Sequence, residues 1–309
     1  MDGAGRSGVK QSWSGSNFGN NYLDSTCLEA PRWNDGEIVM LSVFGDESHD
    51  SSKARVFAVA GLLGSGDDWE TFRQRWRDRL GNIVFHAADC ESGHGDFREM
   101  LEADRLQLHR DLTKILADSK LMGYGAAIDL AGCRKVNPSV MADFPDMPYY
   151  DCFVKTVVYL SNLSAVFIPR DRVEFTFDQH RETQYNAGIL YDWITAYKPH
   201  TVEKISFATR KEPGVQAADL WARELMKRCD THLFNERANP RPQWKTIINT
   251  KRFKFGFTVG HQFAETMKQM ETMPVIDHAD YEQWRVNNKL VDNLSHRFRY
   301  FARWDIGRE

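Results

Sequence analysis

Apolar residues occupy both parities of Glu37-Ile38-Val39-Met40-Leu41-Ser42-Val43-Phe44, and the run breaks into Gly45, Asp46, Glu47 and Ser48. A strand apolar on both faces must be covered on both, which is the habit of a central strand in an α/β sheet. Such sheets bind ligands at the carboxyl ends of their strands, where Asp46 and Glu47 fall. Arg55 to Leu63 predicts a second strand, paired antiparallel through the polar turn from Ser48 to Lys53. Trp69, Phe72, Trp76 and Leu80 recur at helical spacing over Asp67 to Leu80, with Asp67 and Asp68 as caps. The Gly- and acid-rich passage from Phe85 to Phe97 reads as a surface loop.

The alternation continues with a helix over Leu101 to Ser119, a strand over Gly123 to Leu130, and a long helix over Tyr149 to Phe167. Val173 to Asp178 alternates strictly and again ends in an aspartate. A helix around Thr183 to Ala196, a strand near Lys204 to Thr209 and a helix from Gly214 to Arg228 follow. This gives an α/β domain over residues 36 to 229, with a five-stranded mixed sheet flanked by helices. Residues 230 to 309 read as a helical C-terminal extension, with helices at Gln262 to Thr272 and Tyr281 to Arg299 and no strand pattern. Met1 to Asp35 is Gly/Ser/Asn-rich without periodicity and reads as a flexible tail.

The chain has 309 residues, 42% of them hydrophobic, enough for a sizeable core. A net charge of −3 gives no general attraction for nucleic acid or anionic lipid, so any such binding rests on a local patch. The five cysteines are scattered and never two residues apart, which indicates neither a zinc site nor a disulfide framework. Without a secretory leader or a membrane-length apolar run, the expectation is a soluble, cytoplasmic protein with no membrane partner.

Three aspartates stand out. Asp46 and Asp178 follow strands, and Asp219 falls inside the apolar helical stripe of Val215, Ala218, Ala222, Leu225 and Met226. An aspartate after a strand is a common turn former, and Asp219 could accept hydrogen bonds from Gln216 or an arginine. The three converge, however, if the first and fourth strands are parallel neighbours and the second and third pair outward on the other side. Carboxylates crowded in this way repel one another unless a divalent ion with hard-oxygen preference, Mg²⁺ or Mn²⁺, compensates them.

The order Gly45-Asp46-Glu47-Ser48, Phe177-Asp178 and Gln216-Ala217-Ala218-Asp219-Leu220 resembles the ribonuclease H-like superfamily and, within it, domain-of-unknown-function family 3800 (DUF3800). Over about Val39 to Arg228 it follows that family's opening Asp-Glu-Ser-Gly strand end and closing Gln-x-Ala-Asp helix, departing where His49 replaces the glycine. The resemblance implies a divalent-metal-dependent nuclease in which Asp46, Asp178 and Asp219 hold two ions about 3.5 to 4 Å apart for in-line phosphodiester hydrolysis. Glu47 or the Asp89/Glu91 loop would supply a fourth carboxylate. His86 and His180 are candidates for moving protons, and lone histidines in loops are also common surface residues. By analogy with the family, a role in bacterial defence against phage is expected.

Arg210 and Lys211, just before the Asp219 helix, are placed to meet a substrate phosphate. The basic segments Arg241 to Lys254 and His296 to Trp304 interleave cations with aromatics, a pattern of nucleic-acid surfaces and equally of amphipathic packing with basic heads reaching solvent. RNA and DNA are equally open as substrates. The alternative is a catalytically silent binding or scaffolding module that recruits a protein partner through the C-terminal extension. A phosphatase or receiver-like reading fits less well, because Ser48 stands where an Asp-x-Asp start needs its second acid.

Overall fold

The computed structural model describes residues 41–143, 147–167, 173–179, 202–235 and 238–265. The tail, the helix expected at Thr183 to Ala196, His180 and the helix at Tyr281 to Arg299 lie outside these residues, as does the His296 to Trp304 segment. The helix expected from Gln262 is described only as far as residue 265.

The elements run β1 (Leu41–His49), β2 (Val56–Ser65), α1 (Gly66–Leu80), α2 (Ala87–Ser92), α3 (Glu102–Asp118), β3 (Met122–Asp129), α4 (Leu130–Val136) and α5 (Pro138–Asp143). They continue as α6 (Met147–Phe167), β4 (Val173–Asp178), β5 (Val202–Ala208), α7 (Pro213–Phe234), α8 (Pro242–Ile248) and β6 (Phe253–Thr258). The sheet is mixed, with strand order β5-β4-β1-β2-β3-β6. β2 is antiparallel to both neighbours, whereas β1–β4, β4–β5 and β3–β6 are parallel. This is an α/β fold in which β1 and β4 are parallel neighbours and β2 and β3 lie outward, the arrangement that convergence of the strand-end aspartates requires.

Each face of the sheet carries its own core, which is why the central strands are apolar at both parities. On one face Leu41, Val43, Val59 and Phe175 pack with Phe153, Val157 and Leu160 of α6. On the other, Phe44, Ala58, Ala60 and Leu62 pack with Trp69 and Trp76 of α1 and Trp221 and Leu225 of α7. Removing each such large ring from water contributes about 2–3 kcal/mol. Ser65 caps α1, and its side chain and that of Asp68 accept each other's backbone N–H in a capping box.

Three expectations are corrected. The Phe85 to Phe97 passage is no loop: it forms α2 and a 3₁₀ turn at Gly95–Phe97, anchored by the buried Phe85, Cys90 and Phe97. β1 does not end before Asp46 but runs through it to His49. Among the described residues the sheet has six strands, because the region after residue 229 is not purely helical. α7 continues to Phe234, and β6 pairs with β3. Phe253 and Phe257 of β6 are buried, and Trp244 of α8 stacks on Trp221 at 5.3 Å, so the aromatics of the basic segment pack inward.

Candidate metal and phosphodiester site

Strand parity brings the first two aspartates to one place. β1 and β4 pair as far as Gly45 opposite Phe177, so Asp46 and Asp178 are lateral neighbours one step further on. Both follow the parity of Phe44 and Thr176, which faces α7. The third aspartate arrives on that helix. A Cβ at Gly214 would run into the Phe44 ring, so glycine is what lets the first turn of α7 lie against β1. Asp219 comes five residues later, about 7.5 Å along the axis.

Both of the other aspartates act electrostatically on Asp46. The Asp46 carboxyl is held well above its usual range by burial and then by the charges of Asp219 and Asp178. Asp219 is also raised by burial, against the opposing charge of His86, the Ala87 N–H, Arg210 and Arg223. Asp46 Oδ1 accepts the N–H of Glu47 at 2.7 Å, and Asp219 Oδ2 accepts that of Ala87 at 2.6 Å. The remaining oxygen of each accepts no hydrogen bond among the described residues. Asp219 therefore serves as a cap for α2 in trans, through a backbone donor rather than the Gln216 or arginine that the sequence suggests.

Arg210 stands over this cluster. Its Nε lies 3.3 Å from Asp178 Oδ2, and the charges of Asp178, Asp46 and Asp219 raise its pKa although burial opposes them. The turn that presents it is fixed from several sides. Gln216 Nε2 donates to the Arg210 carbonyl at 2.7 Å, and Gln216 Oε1 accepts from Trp76 Nε1 at 2.8 Å. Glu212 caps α7 through the Gly214 N–H and accepts from Arg73 Nε at 2.8 Å. Lys211 is exposed beside it. Gln216, a positioning residue that the sequence offers only as a donor to Asp219, is legible as the polar residue one turn before Asp219.

His86, the N-cap residue of α2, has its Nδ1 2.8 Å from Asp89 Oδ2. Glu47 follows the opposite parity from Asp46 and so lies on the α6 side of the sheet. Glu91 is engaged elsewhere: Arg223 reaches its Oε2 at 2.7 Å and Arg241 its Oε1 at 2.6 Å. His180 lies outside the described residues.

Among the described residues, the set of three side chains whose ligand atoms all lie within 4.8 Å of one another is Glu91, His109 and Glu224, not the three aspartates. All three aspartates are thus not gathered around one point. Asp46 is the shared member, acted on by both of the others. The donor set nevertheless fits hard cations: Asp46 and Asp219 are buried carboxylates that each keep an oxygen without a hydrogen bond among the described residues, and Asp46 also feels the charges of the other two acids, a repulsion that a divalent ion would relieve.

No protein-family model and no curated protein matches the sequence. A chain of the solved structure described as the PCNA:RNase HII complex from Archaeoglobus fulgidus is similar over 68% of this chain and 87% of its own, at 13% identity and a TM-score of 0.31. So slight a likeness carries no argument. Among the described residues, no helix is long and apolar enough to cross a membrane.

Proposed function

We propose that this protein is a divalent-metal-dependent nuclease of the ribonuclease H-like kind that its motif order resembles. The observation that supports the reading is the lateral pairing of Asp46 and Asp178 at the carboxyl ends of parallel neighbours, with the charge of Asp219 acting on Asp46 from α7 and with Asp46 and Asp219 buried and each accepting a single N–H. Buried carboxylates short of donors cost stability that an apolar or neutral residue would not, and a bound cation would offset that cost.

Asp46, Asp178 and Asp219 would hold Mg²⁺ or Mn²⁺. Bound there, the metal supplies an activated water and charge stabilisation for the leaving oxygen. The chain's own residues do the rest. Arg210, held over the acids by Gln216, meets the phosphate that approaches them, and Lys211 adds an outer cation. His86, 2.8 Å from Asp89 Oδ2 and close enough to act on the Asp219 charge, is placed to hold or move a proton. RNA or DNA is the substrate class. The suggestion of bacterial defence rests on the family resemblance alone.

The test is to incubate single-stranded and duplex RNA and DNA with Mg²⁺ or Mn²⁺, comparing wild type with Asp46→Asn and Asp219→Asn. Metal-dependent cleavage that falls by about 10²-fold or more in both variants is expected, the size seen when one electrostatic stabiliser is lost. Absence of cleavage by wild type on every substrate, together with metal-independent binding, would replace this reading with the binding-module one.

A further inference from the structure

Beyond the aspartates, α7 carries a second polar stripe. Asp219, Arg223 and Lys227 follow one another at four-residue spacing, about 6 Å per step along one face. The helix leads away from the acids past the end of β1, where Arg223 Nη1 donates to the His49 carbonyl at 3.4 Å. Arg241, the N-cap residue of α8, joins the two cations from the neighbouring element.

Glu91 organises them. Arg223 binds its Oε2 through Nε at 3.0 Å and Nη2 at 2.7 Å, Arg241 binds its Oε1 at 2.6 Å, and Lys227 Nζ stands 3.9 Å away. Arg241 also reaches Glu224 Oε1 at 3.2 Å. Behind this pair the buried His109 Nε2 lies 3.8 Å from Glu224 Oε1, and neither atom has a hydrogen-bond partner. The spacing of Glu91, His109 and Glu224 suits a metal, but the charges do not. Three cations already face two carboxylates, of which Glu224 is pushed up to about 7 by burial and is half neutral at that pH. A dication there would add to a surplus of positive charge.

The surplus suits an anion. Lys227 has its pKa lowered by burial and by the neighbouring Arg223 and Arg241, against the opposing charges of Glu91 and Asp230. Arg223 and Arg241 are fixed in their geometry by one carboxylate, while Lys227 and Arg241 keep about a third of their side-chain surface exposed, at 35% and 31%. Guanidinium groups held in this way lose little freedom on meeting phosphate.

We infer that Arg223, Lys227 and Arg241, clamped by Glu91, form a binding subsite for a backbone phosphate of the nucleic-acid strand, one to two helical turns from the reacting phosphodiester at Asp219. This rests on the nuclease reading above. Arg210 and this subsite then hold the strand on either side of the acids.

Binding is measured by fluorescence anisotropy of labelled single-stranded RNA and DNA on the full chain carrying Asp46→Asn, with Mn²⁺ and over a salt series. Adding Lys227→Gln or Arg241→Gln should weaken binding about 10-fold and flatten the log–log salt slope by about 0.7 for each phosphate that is no longer neutralised. Lys120→Gln, at the opposite end of the sheet where β3 begins, should leave the slope unchanged, and thermal melts confirm that each variant folds. Unchanged affinity and slope in both Lys227→Gln and Arg241→Gln would overturn the subsite. So would uptake of Zn²⁺ or Mn²⁺ that His109→Ala abolishes and Asp46→Asn does not. Failure of the nuclease reading is seen separately, as absence of wild-type cleavage.

Discussion

Asp46 and Asp50 lie four residues apart and are both buried, yet their surroundings are opposite. Asp50 closes the β1–β2 turn and accepts the N–H groups of Ser52, Ala54, Arg55 and Val56 and the Ser52 hydroxyl. Burial alone would raise its pKa, and these donors pull it far below the usual carboxylate range instead. Asp46 accepts one N–H, from its own neighbour, and faces two other acids. A structural carboxylate is surrounded by donors, whereas one kept for a cation is left short of them. The fold tolerates the second kind only where function repays its cost.

The comparison breaks most sharply if the two acids are exchanged in role. Asp46→Asn should lower metal-dependent cleavage by orders of magnitude while raising the melting temperature in the absence of metal. Its folded-state pKa lies above the unfolded one, so ionising it at neutral pH costs stability that the amide does not lose. Asp50→Ala should do the reverse, costing about 3 kcal/mol through orphaned N–H groups and leaving activity per folded molecule unchanged. Denaturant melts and single-turnover assays of both variants measure the two halves. Equal effects of the two substitutions on stability would erase the distinction.

Glu224 extends the comparison to a buried acid outside the site. Its pKa rises from 4.5 to about 7, chiefly by burial, so wild-type stability should fall as pH rises from about 4.5 through 7, by up to about 3 kcal/mol. Glu224→Gln removes that loss, so its stability relative to wild type should be greater at pH 8 than at pH 5. His109, lowered to about 4 by burial, works in the other direction and costs stability as pH falls from 6.5 toward 4. A smaller effect comes from Gly214→Ala. Its methyl group meets the Phe44 ring and should cost about 1–3 kcal/mol, with a loss of activity as α7 and Asp219 shift from β1.

Much of this was legible in the chain. Two-sided apolar strands required two covered faces, and the parity of Val173 to Asp178 fixed which residues of β4 share a face. The strand order was the condition under which Asp46 and Asp178 could become neighbours, and the β1–β4 pairing meets it. β6 was hidden because Phe253, Phe255 and Phe257 alternate within a segment whose cations drew attention to its surface. α2 was hidden because short helices held by tertiary contacts carry little local signal, and its first N–H finds its acceptor in Asp219, 132 residues away. The Glu91 clamp joins three elements far apart in sequence, and only the i, i+4, i+8 spacing of Asp219, Arg223 and Lys227 hinted at it.

The most direct measurement is thermal unfolding of wild type, Asp46→Asn and Asp219→Asn with and without Mn²⁺ at neutral pH. A ligand that binds only the folded state at about 100 times its Kd stabilises it by about 2.7 kcal/mol. Wild type should therefore melt several degrees higher with Mn²⁺, and both variants should lose most of that gain while being the more stable without metal. No shift in wild type, or the same shift in all three, would contradict the assignment of these aspartates as a cation site.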